Sequence, residues 1–308
     1  MSRRSSTKAV IAEPLLIALI AILTMVCPCC FTVPSVIIKL LATASALSYG
    51  QRFLTKNSNK WVRRISFGIT LIISLILVGI GLFLLVLANN DDLRSRGFAN
   101  FCAMQNLKDG GPMNEVRCAI LNEADISGKV LEFGPGPGTN FKCFVNSTSI
   151  DEYVGVEPNT YFKEEMMREK EKRGLTFPLD FAPLRGEDYV DVMSESFDVV
   201  ILTHVLCSVD SVETVLANAE RALKPGGKMI IMEHMTAGEG TKLKMFQEVV
   251  GPIFNIIGNG CKVLDMTKII ESYLGNRFSV QLDEFEAPLP AFPLLFARPH
   301  VKGVATKK

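Results

Sequence analysis

Residues 130–138 read Val130-Leu-Glu-Phe-Gly-Pro-Gly-Pro-Gly138, and the fold follows from them. An apolar strand runs into three glycines at alternate positions, Gly134, Gly136 and Gly138, and a turn into a helix comes next. A residue without a Cβ accepts positive φ and lets a ligand lie against bare backbone. At the carboxyl end of a strand in an α/β sheet, such a loop holds a nucleotide-like cofactor. The spacing is G-x-G-x-G and not the dinucleotide pattern G-x-G-x-x-G. Glu132 lies two residues before the first glycine, where a carboxylate suits a cationic amino-acid headgroup better than a pyrophosphate. Both details point away from NAD and towards S-adenosylmethionine.

Around this loop, short apolar strands alternate with helical patterns, which predicts a mostly parallel sheet with helices on its faces. The predicted strands are Lys129–Phe133, Asp151–Glu157, Thr176–Phe181, Phe197–Leu202, Lys228–Glu233, Phe278–Phe285 and His300–Ala305. Asn114–Ala124 reads as a helix with Val116, Ala119, Ile120 and Leu121 on one face. Asn159–Arg173 reads as a charged helix with a solvated face. Ser211–Leu223 reads as a helix with Asp210 or Ser211 as N-cap and Lys224-Pro-Gly-Gly227 as its stop.

Further candidates sit at predicted strand ends. Glu157 ends an apolar strand just over twenty residues beyond the first glycine, where an acid accepts hydrogen bonds from ribose hydroxyls. Gly186, Glu187 and Asp188 follow the third strand, and one of these acids can meet an exocyclic amine. Thr203 and His204 follow the fourth strand. His204, Glu233 and His234 are the candidates to accept a proton from a substrate. Lys242–Ile257 is apolar on more than one face and reads as a pocket lid, a membrane-surface helix or a helix packed on its own sheet.

Charge divides the 308 residues. Residues 1–97 carry 11 basic and 3 acidic side chains, and the remainder carries 22 basic and 29 acidic. An acidic domain is a poor partner for a phosphate backbone, so no nucleic-acid substrate is expected. Ile65–Ala88 is free of charge and long enough to cross a hydrocarbon core. Pro14–Ile38 is a second apolar run, interrupted by Pro28 and Pro34. A kinked span, a re-entrant hairpin, a signal-anchor and a cleaved signal peptide all fit it. Residues 1–97 are therefore expected to be a membrane anchor and residues 98–308 a catalytic domain. Lys and Arg fall evenly on the two sides of such an anchor; a cofactor made in the cytosol places the domain there. Cys27, Cys29 and Cys30 sit inside the second apolar run and read as small apolar packing residues or acylation sites, and Cys102, Cys118, Cys143, Cys207 and Cys261 are scattered with no C-x-x-C pair, so neither a structural zinc, nor any other metal, nor a disulfide framework is expected.

Leu223-Lys-Pro-Gly-Gly227 followed by a strand is common to class I S-adenosylmethionine-dependent methyltransferases. With the glycine loop and Glu157 it implies their Rossmann-like fold, a seven-stranded mostly parallel sheet, here preceded by one or two transmembrane helices. The resemblance extends to a family. Asn140-Phe-Lys142, Glu157-Pro-Asn159, Val205-Leu-Cys-Ser-Val209, Met232-Glu-His234, Gly260-Cys261, Ala287-Pro-Leu289 and Arg298-Pro-His300 resemble the membrane-anchored thiol S-methyltransferases of the methyltransferase-like seven family. Asn140, Pro158 and Asn159 join the cofactor-binding candidates on that basis. What the resemblance implies is an enzyme of the endoplasmic reticulum or lipid droplet that methylates small apolar thiols. The chain departs from the family at Pro135 and Pro137, where Cys and Thr are usual, and at Glu157, where Asp is usual. It departs again at His204, where the family tends to be apolar, and in its second apolar run. O- or N-methylation of a lipid or quinone-like acceptor is the alternative activity, and a non-catalytic membrane scaffold is the alternative from another class.

Overall fold

Seven strands form one sheet: Gly128–Phe133 (β1), Ile150–Val156 (β2), Leu179–Ala182 (β3), Phe197–Thr203 (β4), Leu223–His234 (β5), Phe278–Glu286 (β6) and Pro299–Lys307 (β7). Their order is β3-β2-β1-β4-β5-β7-β6. β1 to β5 are mutually parallel, and β7 runs antiparallel between β5 and β6. The computed structural model describes residues 40, 42–44, 47, 50, 59–106, 112–145, 149–189, 194–289 and 294–308. The apolar run Pro14–Ile38 lies outside these residues, as do Cys27, Cys29 and Cys30.

The helices are Lys60–Ala88 (α1), Asp91–Asn106 (α2), Pro112–Glu123 (α3), Lys163–Lys172 (α4), Val212–Ala222 (α5), Lys242–Ile257 (α6) and Met266–Leu274 (α7). The described residues fall into two compact units. One takes those up to Asp91 together with Glu248–Ile257, and the other takes the described residues of Asp92–Gln247 and Gly258–Lys308. In the first, α1 is 29 residues long with mean hydropathy 3.1 over its most apolar window, enough by length and composition to cross a membrane. Asn59 caps it, its side chain accepting from the Trp61 amide at 3.0 Å.

In the second unit the central strands are buried on both faces, as a doubly covered parallel sheet requires. Val130, Leu131 and Phe133 of β1, Val200, Ile201 and Leu202 of β4, and Met229 to Met232 of β5 are sealed from solvent. Phe141, Phe144, Tyr153 and Phe177 form an aromatic nest with centroids 5.1 to 6.4 Å apart. Phe141 and Phe144 follow the glycine loop directly, so the nest seats the loop on the sheet. α5 begins as expected at Ser211, whose hydroxyl accepts from the Thr214 amide at 3.2 Å. β3 starts later than predicted. Pro178 has no N–H for the ladder, although its carbonyl takes the Tyr153 amide at 2.9 Å. The first half of α6 is tied to the segments that follow β5 and precede β7: Gln247 is buried, donating to the carbonyls of Met235 and Phe296 and accepting the Ala237 amide.

The cysteines require a correction. Cys118 of α3 and Cys143, at the end of the short helical turn Thr139–Cys143, are joined by a disulfide with Cα atoms 4.9 Å apart. Their separation of 25 residues has no local signature. Only the packing of α3 beside that turn brings them together.

Candidate active site

The chain enters the glycine loop at the carboxyl end of β1. Gly134 has φ 65°, and a Cβ there would lie 2.6 Å from Val205 Cγ2, so no side chain fits. Gly136 has φ 54°, and a Cβ there would meet nothing nearer than Phe162 at 4.0 Å. Its bare face opens into a cavity of about 390 Å³, a volume suited to a small molecule. The wall includes Glu132, Gly134 to Pro137, Glu157 and Pro158, Gly186 and Glu187, and Thr203 to Val205, with Phe98 and Cys102 contributed by α2. The sequence candidates from four strand ends thus converge on one cavity, at the switch point where open α/β sheets bind ligands.

Glu157 follows β2 and is 6% exposed. Its Oε2 accepts the Gly136 amide at 3.2 Å and its Oε1 the Asn159 amide at 2.9 Å. Burial nonetheless pushes its pKa up to about 7. One methylene longer than the family's usual Asp, it still reaches the loop. Asn159 does not line the cavity. Its amide side chain donates to the Ser95 carbonyl at 2.9 Å and accepts from the Tyr161 amide, tying this loop to α2. Glu187 turns one oxygen to the amides of Asp210 and Ser211, at 2.6 and 3.3 Å, ahead of α5. Asp188 pairs with Arg185 on the surface, outside the cavity.

Beneath the loop lies a buried polar network. Glu132 accepts from Tyr153 Oη at 2.6 Å and from Asn140 Nδ2 at 2.8 Å. Burial raises its pKa to about 7. Asn140 does not reach the cavity; besides Glu132 it bonds Thr203 Oγ1 at 2.9 Å and accepts from Arg117 Nη1 at 3.0 Å. Arg117 is the residue that sequence reading missed. It projects from α3, is 8% exposed and lines the cavity. Burial pulls its guanidinium down to about 10, opposed by the carboxylates of Glu132 and Glu233. Arg117, Ile120, Leu121 and Ala124 share one helical face at i, i+3, i+4 and i+7, so a single cation stands in an apolar stripe. That was the available signal.

His204 closes the network. It sits at φ 55°, a left-handed position unusual for a side-chain-bearing residue, just past β4. A guanidinium can only donate, so Arg117 Nη2 gives its proton to His204 Nδ1 at 3.0 Å. That assigns the remaining tautomers. His204 Nε2–H donates to His300 Nε2 at 3.1 Å, and His300 Nδ1–H donates to the Arg298 carbonyl at 3.0 Å. Burial, then Arg117 and the other histidines, hold His204 well below the usual imidazole range. Its free lone pair is already occupied by a cation, so it is poorly placed as a base. His204→Asn is expected to lower kcat/KM by less than roughly tenfold, against the ~10²–10⁴-fold contributed by a true general base. A larger loss with a changed pH profile would restore His204 as a base.

Glu233 and His234 do not line the cavity. Glu233 Oε1 accepts the amides of Val205 and Leu206 at 2.6 and 2.7 Å, which shapes the loop after β4. Burial raises its pKa to about 8. His234 faces Cys261, with Nε2 2.9 Å from Sγ. Both candidates stand behind the wall. They end β5, whose last side chains point beneath the β4 loop and not into the cavity.

Comparison with known proteins agrees with this geometry. The methyltransferase-domain family matches residues 131–231. Human thiol S-methyltransferase TMT1B is 34% identical over 207 residues, covering 66% of this chain and 81% of that protein. Human thiol S-methyltransferase TMT1A is 31% identical over 211 residues, covering 67% and 83%. Phosphoethanolamine N-methyltransferase 2 of Haemonchus contortus, solved in complex with S-adenosyl-L-methionine, superposes with a TM-score of 0.50 at 17% identity, over 63% of this chain and 52% of that one. At that identity the likeness speaks for the fold alone. A glycine-loop cavity on a seven-stranded sheet, in a chain that spans four-fifths of two such relatives, makes this protein a member of the TMT1 family of thiol S-methyltransferases, within the class I S-adenosylmethionine-dependent methyltransferases.

Proposed function

We propose that the protein is a membrane-anchored enzyme that moves the methyl group of S-adenosylmethionine to the sulfur of a small apolar thiol. The observation that carries this reading is the cavity in which the bare backbone of Gly136 and the carboxylates of Glu132 and Glu157 share one wall. These residues fit the cofactor. Each Glu157 oxygen takes one backbone amide and keeps capacity to accept from a ribose hydroxyl. Glu132 offers negative charge towards an ammonium or sulfonium group.

S-adenosylmethionine supplies an activated methyl on a sulfonium, so the acceptor requires ionisation and alignment more than acid catalysis. A free thiol has a pKa of ~8.5, and the thiolate is the nucleophile. Arg117 is the buried cation at the cavity wall and favours the ionised acceptor. Phe98, Phe133, Phe162 and Val205 make the wall apolar and exclude water. An apolar thiol that partitions into lipid suits such a wall and a chain carrying α1.

The anchor is assigned to residues 1–97 and catalysis to residues 98–308. The membrane is that of the endoplasmic reticulum or lipid droplet, as in the family resemblance, and the catalytic domain faces the cytosol, where the cofactor is made. The Cys118–Cys143 disulfide pulls the other way, because cytosolic thiols are kept reduced.

One assay tests both parts. The full chain, in detergent and in sealed microsomes, is given methyl-labelled S-adenosylmethionine with a panel of thiols, phenols and amines. Label is expected on small apolar thiols, and in microsomes without permeabilisation. Label on a phenol or amine alone overturns the acceptor; activity only after permeabilisation overturns the orientation.

A further inference from the structure

The chain has three histidines, and they lie together, His204 in the cavity wall and His234 and His300 behind it. His204, His234 and His300 have ring centroids 5.2 to 6.3 Å apart. Two of the three described cysteines outside the disulfide, Cys207 and Cys261, join them, both buried. Cys261 Sγ is 2.8 Å from Cys207 Sγ and 2.9 Å from His234 Nε2. The three donor atoms all lie within 4.8 Å of one another. None of the three residues lines the cofactor cavity, and the methyl-transfer chemistry uses none of them. A third feature points to the same place. Glu233 is sealed from solvent and its Oε2 has no partner in hydrogen-bond geometry, while the Cys207 thiol is the side chain that bears on that carboxylate.

We propose that Cys207, Cys261 and His234 form a buried Zn²⁺ site that ties the loop after β4 to the segment after α6 behind the cofactor cavity. Two sulfurs and an imidazole nitrogen are the donor set that a borderline-soft d¹⁰ cation selects. Zn–S distances of ~2.3 Å and tetrahedral angles require the sulfurs to open to roughly 3.7 Å, a small side-chain rotation. Binding replaces the two thiol protons, which leave to solvent.

The site's role is to hold the wall. Cys207 lies between Val205 and Ser208, which line the cavity, and Cys261 lies two residues beyond Asn259, which also lines it. The Lys262 amide already bonds the Cys207 carbonyl at 2.8 Å. A metal would cross-link positions 54 and 27 residues apart, and so fix the cavity's depth. The absence of C-x-x-C spacing does not bear on such a site, because its ligands come from three separate segments.

The test uses the full chain in detergent, reduced under anaerobic conditions, stripped with a chelator and titrated with Co²⁺ as the probe. The expected result is a single equivalent per chain, giving a strong thiolate-to-cobalt charge-transfer band and the visible bands of a tetrahedral ion, both abolished by Zn²⁺. Cys261→Ser and Cys207→Ser are each expected to at least halve the charge-transfer band. Zn²⁺ should also slow alkylation of Cys207 and Cys261 in the wild-type chain at least tenfold while leaving Cys102 unchanged, a reading that stands even if the variants fail to fold. No thiolate band, a band unchanged in both variants, or recovery of Cys207 and Cys261 as a disulfide would overturn the site. All these readouts are independent of methyl transfer, so the site can fail while the thiol S-methyltransferase reading holds, and the reverse.

Discussion

Glu157→Gln is expected to weaken S-adenosylmethionine binding roughly fivefold or more and to flatten its dependence on pH. The carboxylate is buried and accepts the amides of Gly136 and Asn159, so it both shapes the loop and presents its remaining lone pairs to the cavity. Glutamine keeps the volume but replaces one acceptor oxygen by a donor, which then faces an amide or a ribose hydroxyl that also donates. Leaving a buried polar group mismatched costs about 1–3 kcal/mol, or roughly 5- to 150-fold in affinity. The pH arm follows from burial, which raises Glu157 to about 7, with Glu132 nearby at a similar value and Cys102 raised by its own burial and then by the Glu157 carboxylate. A ribose hydroxyl donates to the ionised form, so protonation competes with binding. Wild-type affinity should therefore fall as pH drops below about 7, by up to tenfold per unit for one linked proton. Above that value it should level off. Isothermal calorimetry between pH 5.5 and 8.5, an illustrative window of about 3 units around that midpoint, measures both arms. Unchanged affinity in the variant would remove Glu157 from the site.

Arg117→Met should produce the largest loss of stability among single substitutions at the site. The guanidinium donates to Asn140, Thr203 and His204 and faces Glu132 across the same network. Removing one partner of a buried charge pair costs about 3–5 kcal/mol, mostly because the other charge is stranded. For a domain of this size that is a fall in Tm on the order of 10 °C. Glu132 limits the damage by keeping its proton. In the wild type its folded pKa is about 7, so relative to the unfolded chain it stops losing stability with rising pH near that point. Without Arg117 the folded pKa moves higher still, and the deficit grows above pH 7 by about 1.4 kcal/mol per unit until the new value is reached. The double variant Arg117→Met with Glu132→Gln should recover part of the loss, and the interaction energy from that cycle measures the pair. Additive losses, or a deficit independent of pH, would show that the two residues are not coupled.

The most legible residues were those whose position along the chain is also their position in space. The glycine loop, Glu132 and Glu157 lie at or just beyond strand ends, and every strand end of a parallel sheet opens on the same edge. One strand assignment therefore places each of them. Thr203, Gly186 and Glu187 were readable for the same reason. β3 was misjudged at its start because Pro178 ends the apolar count at a different residue from the hydrogen-bond ladder. Arg117 was written in the helical pattern of α3, as the cation in an apolar stripe, but its partners come from β1, β4 and the glycine loop.

Local pattern alone thus determined the parallel sheet, the cofactor loop and the membrane-length helix, because period, glycine spacing and run length are properties of neighbouring residues, and the class of chemistry came with the family resemblance of the motifs. Only the tertiary structure decided which polar groups face the cavity and which stand behind it. His204, Glu233 and His234 looked alike as candidate bases, yet Arg117 occupies the first, two backbone amides engage the second, and Cys261 faces the third. The pairing of Cys118 with Cys143 and the meeting of Cys207, His234 and Cys261 likewise depend on chain crossings. Contacts between residues far apart in sequence are set by how the elements pack, and no local pattern encodes them.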